Sequence, residues 1–147
     1  MIFKSFEINK INRKISKLIL FYGKNEGLKN EALSILVKNE NTIQNYEEKE
    51  ILDNEDNFIE NIFSKSLFEK EKFIVIKRTT DKILKVIEIL RSKKIEDTTI
   101  ILNSDNLEKK SKLRSLFEKD KQLICIPFYP DNDQTLSKLA YNFLINK

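Results

Sequence analysis

The sequence predicts an α/β fold with a five-stranded, mostly parallel sheet covered by helices on both faces. Short apolar runs alternate along the chain with segments in which apolar residues recur at helical spacing. Continuous apolar runs are typical of strands buried on both faces, and strands that alternate with helices form parallel sheets through right-handed crossovers. The length of 147 residues suits a single compact domain.

Four of the predicted strands are continuous apolar runs, and one candidate is more polar. The four clear runs are 18–22, 73–76, 98–102 and 123–126, the last of which is followed by Pro127. The weaker candidate spans residues 42–51, where polar residues dominate. It is predicted to be an edge strand, because an edge can face water.

A segment of helical periodicity follows each predicted strand. The apolar sets begin at Ala32, Phe58, Ile83, Leu113 and Leu136. Acidic residues at 53–56 precede the second set, and Asp81 is the predicted N-cap of the third. Ligands of parallel α/β folds usually lie beyond the carboxyl ends of the strands, so we expect the chemistry in the loops after Tyr22, Ile76 and Leu102.

The composition excludes several classes of function. With no His, the chain cannot form a Ser-His-Asp or Cys-His nucleophilic site. With a single Cys it can form neither a structural zinc site nor an internal disulfide. No apolar run approaches the roughly 20 residues of a membrane span, and the start of the chain lacks the apolar segment of a signal peptide. We therefore expect a cytoplasmic protein without a membrane partner.

The charge is mixed rather than strongly basic. The chain has 27 Lys plus Arg and 23 Asp plus Glu, which gives a net charge of +4. Interleaved charges of this kind usually form a solvated surface. One cluster, Lys109, Lys110, Lys112 and Arg114, could contact nucleic-acid phosphates. A small nucleic-acid-binding module is therefore an alternative function, although a solvated helix face is the simpler interpretation.

The loop after the first strand resembles a phosphate-binding loop that has lost part of its chemistry. A P-loop has Gly, four residues, Gly, Lys and then Ser or Thr. Here Gly23 and Lys29 are in place, but Leu28 stands at the second Gly and Asn30 at the hydroxyl residue. The candidate residues of a degenerate nucleotide site are Gly23, Gly27, Lys29 and Asn30.

The acidic metal ligand of a nucleotidase is also missing. In P-loop nucleotidases an Asp at the end of an apolar strand holds Mg²⁺, whereas the strand 73–76 is followed by Lys77 and Arg78. Glu26 adds a negative charge where phosphate would lie. We expect no catalytic activity, metal or cofactor. An active P-loop nucleotidase or kinase, or a simple strand-to-helix turn, is the alternative.

Leu67 and Phe68 form an adjacent apolar pair in a charged junction before the third strand. They could fold back to cover the edge of the sheet, or they could protrude as an anchor for a hydrophobic pocket on a partner. Burying two such side chains contributes roughly 3–6 kcal/mol before the costs of binding, which is enough for an interface hot spot.

Taken together, these segments resemble the N-terminal domain of the delta subunit of bacterial DNA polymerase III, a clamp-loader subunit. The similarity rests on the order and spacing of three segments and extends from about residue 17 to residue 144. The segments are 18–23 with the helix entry 28–31, 66–68 followed by 73–76, and 99–102 followed by 105–107. Residues 110–113 and 128–130 also match.

The resemblance implies an AAA+-type domain with a degenerate nucleotide site, in which sibling subunits use the ATP. It implies that Leu67 and Phe68, with Ser66 beside them, insert into the hydrophobic pocket of the DNA sliding clamp (beta subunit). Some relatives have a Gln where this chain has Phe63, so a polar supporting contact is expected to be missing. Clamp binding would shift the ring towards its open state, because the anchor favours that state.

The resemblance also implies further partners and further domains. The other clamp-loader subunits (gamma/tau and delta prime) are expected partners of a full-length subunit, and DNA only an indirect or weak one. Residues 1–147 are expected to be a single AAA+-like domain, a fragment from which the helical lid and collar are absent.

Overall fold

The described residues form a five-stranded parallel sheet with helices on both faces, as the sequence predicts. The computed structural model describes residues 1–10, 17–37, 43–64, 72–95 and 98–129. The strands are β1 (Leu18–Tyr22), β2 (Ile43–Glu47), β3 (Lys72–Lys77), β4 (Thr98–Asn103) and β5 (Ile124–Pro127). The helices are α1 (Glu26–Leu36), α2 (Glu48–Asp53), α3 (Glu55–Phe63), α4 (Leu84–Lys93) and α5 (Lys112–Lys119). Short 3₁₀ helices span Ser5–Lys10 and Asp81–Ile83.

The strand order is β2-β3-β4-β1-β5, and every pairing is parallel. All five residues of β1 are buried, because β4 and β5 flank the strand and helices cover both of its faces. This order brings the carboxyl ends of β1, β3 and β4 together at one edge of the sheet. The loops expected to carry the chemistry therefore meet there.

Two apolar cores lie on opposite faces of the sheet. Alternate residues of β1 point to opposite faces, as the two-residue period of a strand requires. Leu20 and Tyr22 belong to the larger core, which also contains buried residues of α2, α3, α4 and α5. Ile19 and Phe21 belong to the smaller core, which contains residues of α1 and the N-terminal 3₁₀ helix.

The polar candidate strand at 42–51 proved to be half strand and half helix. The strand β2 lies at the edge of the sheet, as predicted, but it ends at Glu47 and α2 follows directly. Ile51 is buried in the larger core from the helix. Glu48 and Glu50 in the first turn of α2 favour the helix, because carboxylates there complement the helix dipole. The predicted extent of the strand was therefore wrong.

Asp81 is not the N-cap of the helix that follows it. Thr80 caps the 3₁₀ turn by accepting from the backbone N–H of Lys82, at 3.2 Å. The Asp81 carboxylate instead accepts from the Ser111 hydroxyl at 2.5 Å and the Leu113 N–H at 3.2 Å. The Ser111 hydroxyl is the main cause that holds the pKa of Asp81 below its ordinary value. Asp81 thus caps α5, an element about 30 residues further along the chain.

The outer edge of β5 is partly covered by the first residues of the chain. Ile2 forms a parallel bridge with Cys125, and the N-terminal ammonium donates to the carbonyl oxygens of Phe117, Asp120 and Leu123 at 2.7–2.8 Å. Cys125 is fully buried, and burial raises the pKa of its thiol to about 12. Pro127 lies within β5, which an edge position permits.

Two predicted features lie outside the described residues: the last helix, from Leu136, and the segment 65–71 that contains Ser66, Leu67 and Phe68. Within the described ranges, no helix is both long enough and apolar enough to cross a bilayer.

Candidate functional site

Gly23 ends β1 in a backbone conformation that only glycine adopts readily. Its φ is +121°, and a Cβ there would lie 2.0 Å from the carbonyl oxygen of Phe128. The Tyr22 carbonyl accepts from the Phe128 N–H at 2.7 Å, so the segment after β5 passes tightly across the end of β1. The predicted first glycine of the loop is therefore required by close packing in this structure.

The start of α1 is capped by a side chain of its own loop. The Asn25 side-chain oxygen accepts from the backbone N–H of Leu28 at 3.1 Å. Its amide nitrogen donates to the Tyr129 carbonyl at 3.1 Å, which links the loop to the segment after β5. A phosphate loop presents N–H groups of this turn to the ligand, whereas here the Leu28 N–H is already bonded.

Lys29 is buried and paired within the chain. Its side chain is only 1% exposed. The Nζ atom donates to the Ser104 carbonyl oxygen at 3.1 Å and lies 2.7 Å from Glu26 Oε1. Glu26 is on the outer side of the pair, with 60% of its side chain exposed. A carboxylate of the loop itself thus occupies a contact that a phosphate oxygen would make in a working phosphate loop.

The other two candidate residues of the loop contribute little to this arrangement. Gly27 is exposed in the first turn of α1, and a Cβ there would come no closer than 3.7 Å to Asn25 Oδ1. Asn30 is exposed on α1, and its carbonyl oxygen accepts from the Ser34 hydroxyl at 3.0 Å. Gly23 and Lys29 therefore shape the site, whereas Gly27 and Asn30 lie at its surface.

Hydroxyl groups that the sequence analysis did not single out connect the ends of three strands. Ser104 follows β4, and its N–H donates to the Phe21 carbonyl of β1 at 2.8 Å. Its hydroxyl bonds to that of Thr79 after β3, and both residues are buried. Ser104 therefore contacts β1, the turn after β3 and, through its carbonyl, Lys29 of α1.

A buried carboxylate extends this network to β2. Glu48, which is 5% exposed at the start of α2, accepts from the Thr80 hydroxyl at 2.7 Å and from the Thr80 N–H. All polar side-chain atoms that are buried in the described residues have a hydrogen-bond partner. The carboxyl edge of the sheet is thus closed by internal hydrogen bonds.

The end of β3 carries cations, as the sequence showed. Lys77 and Arg78 are both exposed, and Arg78 has a positive φ of 57°. Arg78 Nε lies 3.7 Å from Glu47 Oε2, an exposed pair that contributes little to stability. In the parts of the chain that the structure describes, no three His, Cys, Asp or Glu side chains come together as a metal site.

The four basic side chains proposed for nucleic-acid binding do not form one exposed surface. Arg114 is largely buried: its guanidinium lies 4.9 Å from the ring centre of Tyr22, and it donates to Glu118 at 2.7 Å and the Leu107 carbonyl at 2.8 Å. The Glu118 bond raises the pKa of Arg114, and burial raises that of Tyr22. Lys109, Lys110 and Lys112 remain exposed. Arg114 therefore packs inside the domain and not on a phosphate-binding surface.

The described residues on either side of the segment 65–71 are close together. Lys72 Nζ donates to the carbonyl oxygens of Asn61 at 2.9 Å and Ser64 at 3.4 Å, so the start of β3 caps the end of α3. Phe63 packs against the larger core, and Lys93 Nζ lies 5.7 Å from its ring centre. Phe63 is therefore a packing residue.

These observations define the class of fold: an all-parallel five-stranded α/β domain in which the loop after β1 is filled by internal contacts. The DNA clamp loader delta protein of Bacillus subtilis (YqeN) has a similar structure, with a TM-score of 0.68 over 92% of this chain. The two sequences are 14% identical, and the match covers 44% of the Bacillus protein. No protein-family model and no curated protein sequence matches the chain.

Proposed function

We propose that the chain is a clamp-loader domain of the delta type, which binds a DNA sliding clamp and helps to open it without hydrolysing ATP. The observation that carries the proposal is the similarity of 92% of the chain to a clamp loader delta protein. The chain spans less than half the length of that protein. We therefore propose contacts with other loader subunits and with DNA only for a longer protein that contains this domain.

The state of Lys29 supports a role that does not depend on nucleotide. The Lys29 ammonium donates to Ser104 and is paired with Glu26, so a phosphate at this position would have to compete with the Glu26 carboxylate. The end of β3 carries Lys77 and Arg78 where a nucleotidase has its Mg²⁺ ligand. The active nucleotidase or kinase is therefore the less favoured alternative.

Ser66, Leu67 and Phe68 are the proposed clamp-binding residues. The contacts of Lys72 with the end of α3 support this role, because they hold together the two elements that flank the segment 65–71. An anchor with fixed ends loses less conformational freedom when its side chains bind a pocket. Two adjacent apolar side chains are also the kind of residue that dominates the energetics of small interfaces.

Clamp binding by a double variant tests the proposal. Leu67→Ala with Phe68→Ala should weaken binding to a sliding clamp about thirtyfold or more, since one hot-spot residue contributes about 2 kcal/mol. The matched control is Ile35→Ala with Tyr129→Ala, which removes two large side chains that are exposed on α1 and after β5. The control should bind like the wild type.

Thermal unfolding of the same proteins separates a binding surface from a packing role. The melting temperature of the Leu67/Phe68 variant should stay within a few degrees of the wild type. A large drop in melting temperature, together with a wild type that does not bind the clamp, would show that the pair is part of the core.

A further inference from the structure

An open groove lies between α4 and α5, away from the loop after β1. It has a volume of about 690 Å³, within the range of roughly 300–1,000 Å³ typical of ligand sites. Its lining combines two leucines with four lysines and two acidic residues. The lining includes Leu84, Leu116, Lys109, Lys112, Lys119 and Asp120.

The groove follows one face of α5. Lys112, Leu116 and Lys119 are spaced four and three residues apart, so they lie on the same face of the helix. Leu113 and Phe117, on the opposite side, are fully buried in the core. Because Lys112 and Lys119 are the first and last residues of α5, the groove has a cation at each end and Leu116 between them.

The charges of this groove are unevenly balanced. Among the described residues, Lys109, Lys112 and Lys119 have no carboxylate within ion-pair distance, while Lys110 Nζ lies 3.3 Å from Glu108. Of the two acidic lining residues, Asp120 is already bonded to Arg91. Its charge is thus largely neutralised, and the exposed Glu88 still leaves the lysines in excess, so the surface presented to a partner is positive around the partly buried Leu84 and Leu116.

We propose that this groove binds an acidic amphipathic helix of a partner protein. Leu84 and Leu116 would receive the apolar residues of the partner, and the lysines would pair with the carboxylates beside them. Nucleic acid suits the groove less well, because no aromatic side chain of the described residues lines it for base stacking, and the nearby arginines Arg91 and Arg114 are bonded within the domain. The proposal does not depend on the clamp-binding role, which uses a different segment.

Fluorescence anisotropy with a defined probe tests the proposal in the absence of any clamp. The probe is a labelled helical peptide that carries Glu along one face and two Leu one helical turn apart. A peptide with both Leu replaced by Ser has the same charge and serves as its control. A single-stranded oligothymidylate of the same charge tests the nucleic-acid alternative.

Two protein variants of equal net charge identify the surface. Lys109→Glu with Lys112→Glu and Lys119→Glu should weaken binding of the Leu-containing peptide about tenfold or more. The control, Lys24→Glu with Lys49→Glu and Lys77→Glu, reverses three exposed lysines outside the groove and should bind about as well as the wild type. Thermal unfolding should show that both variants are folded.

Three results would overturn the proposal. These are the lack of saturable binding by the Leu-containing peptide, equal weakening by the two triple variants, and tighter binding of the oligothymidylate than of the peptide. Equal affinity for the Leu and Ser peptides would likewise reject the apolar part of the site.

Discussion

Replacing Lys29 with Met removes the buried ammonium at the end of the sheet while keeping most of the side-chain volume. The Ser104 carbonyl oxygen, which is buried, loses the donor that now lies 3.1 Å away. An unsatisfied buried acceptor costs about 1–3 kcal/mol. Loss of the Glu26 pair adds little, because the Glu26 side chain is 60% exposed and water can solvate its carboxylate. The melting temperature of Lys29→Met should therefore fall by about 3–10 °C.

Thermal unfolding with and without ATP and Mg²⁺ checks this expectation. A ligand at a hundred times its dissociation constant adds about 2.7 kcal/mol to stability, so nucleotide binding would be easy to detect. The wild type should show no such shift. Glu31→Gln is the matched control, because it removes an exposed carboxylate of the same helix and leaves both contacts of Lys29 in place; its cost should stay below about 1 kcal/mol. If ATP stabilises the wild type and Lys29→Met abolishes that effect, Lys29 is a phosphate ligand and the reasoning is refuted.

Two further changes test other parts of the same edge. Gly23→Ala should destabilise the domain by about 3 kcal/mol or more, because the alanine would have to hold φ = +121° with its Cβ against the Phe128 carbonyl oxygen. Gly27→Ala, in the exposed first turn of α1, is the control and should be neutral or stabilising. Denaturant unfolding measures both. Asp81→Asn should weaken the cap of α5 by about 0.5–2 kcal/mol at neutral pH. Since the folded-state pKa of Asp81 is lowered, its contribution is present above its ordinary pKa of 3.8 and is lost as the pH falls further. Unfolding measured from pH 7 to pH 2 should thus show a steeper loss for the wild type than for the variant; parallel curves would contradict the assignment.

The larger features of the fold could be predicted from the sequence because they depend on local patterns. The apolar run of β1 ends at Gly23, and the structure shows a strand that ends there. The junction at Glu47 and Glu48 was misjudged, because a short polar edge strand followed without a loop by a helix has no clear periodicity of either kind. Tertiary contacts decided that boundary, in particular the burial of Ile51 from α2.

The details of the candidate site depend on strand order, which alternation of strands and helices does not determine. Thr79 and Ser104 are 25 residues apart, and they meet only because β3 and β4 are neighbours in the sheet. The signal that could have found them is a hydroxyl-bearing residue within three positions of the end of each of two predicted strands. Arg114 was grouped with surface lysines because its charge is visible in the sequence, while its contact with Tyr22 follows from packing alone.

The hydrogen bonds around Ser104 have a mechanical consequence. Separating α1 from the sheet would expose the ammonium of Lys29 and the hydroxyls of Thr79 and Ser104 together, so bending at this edge has a high cost. The domain would then rotate as one stiff body when it is pushed. For the clamp-opening role proposed above, that stiffness would mean that a load on the domain is carried by the whole sheet and does not distort it.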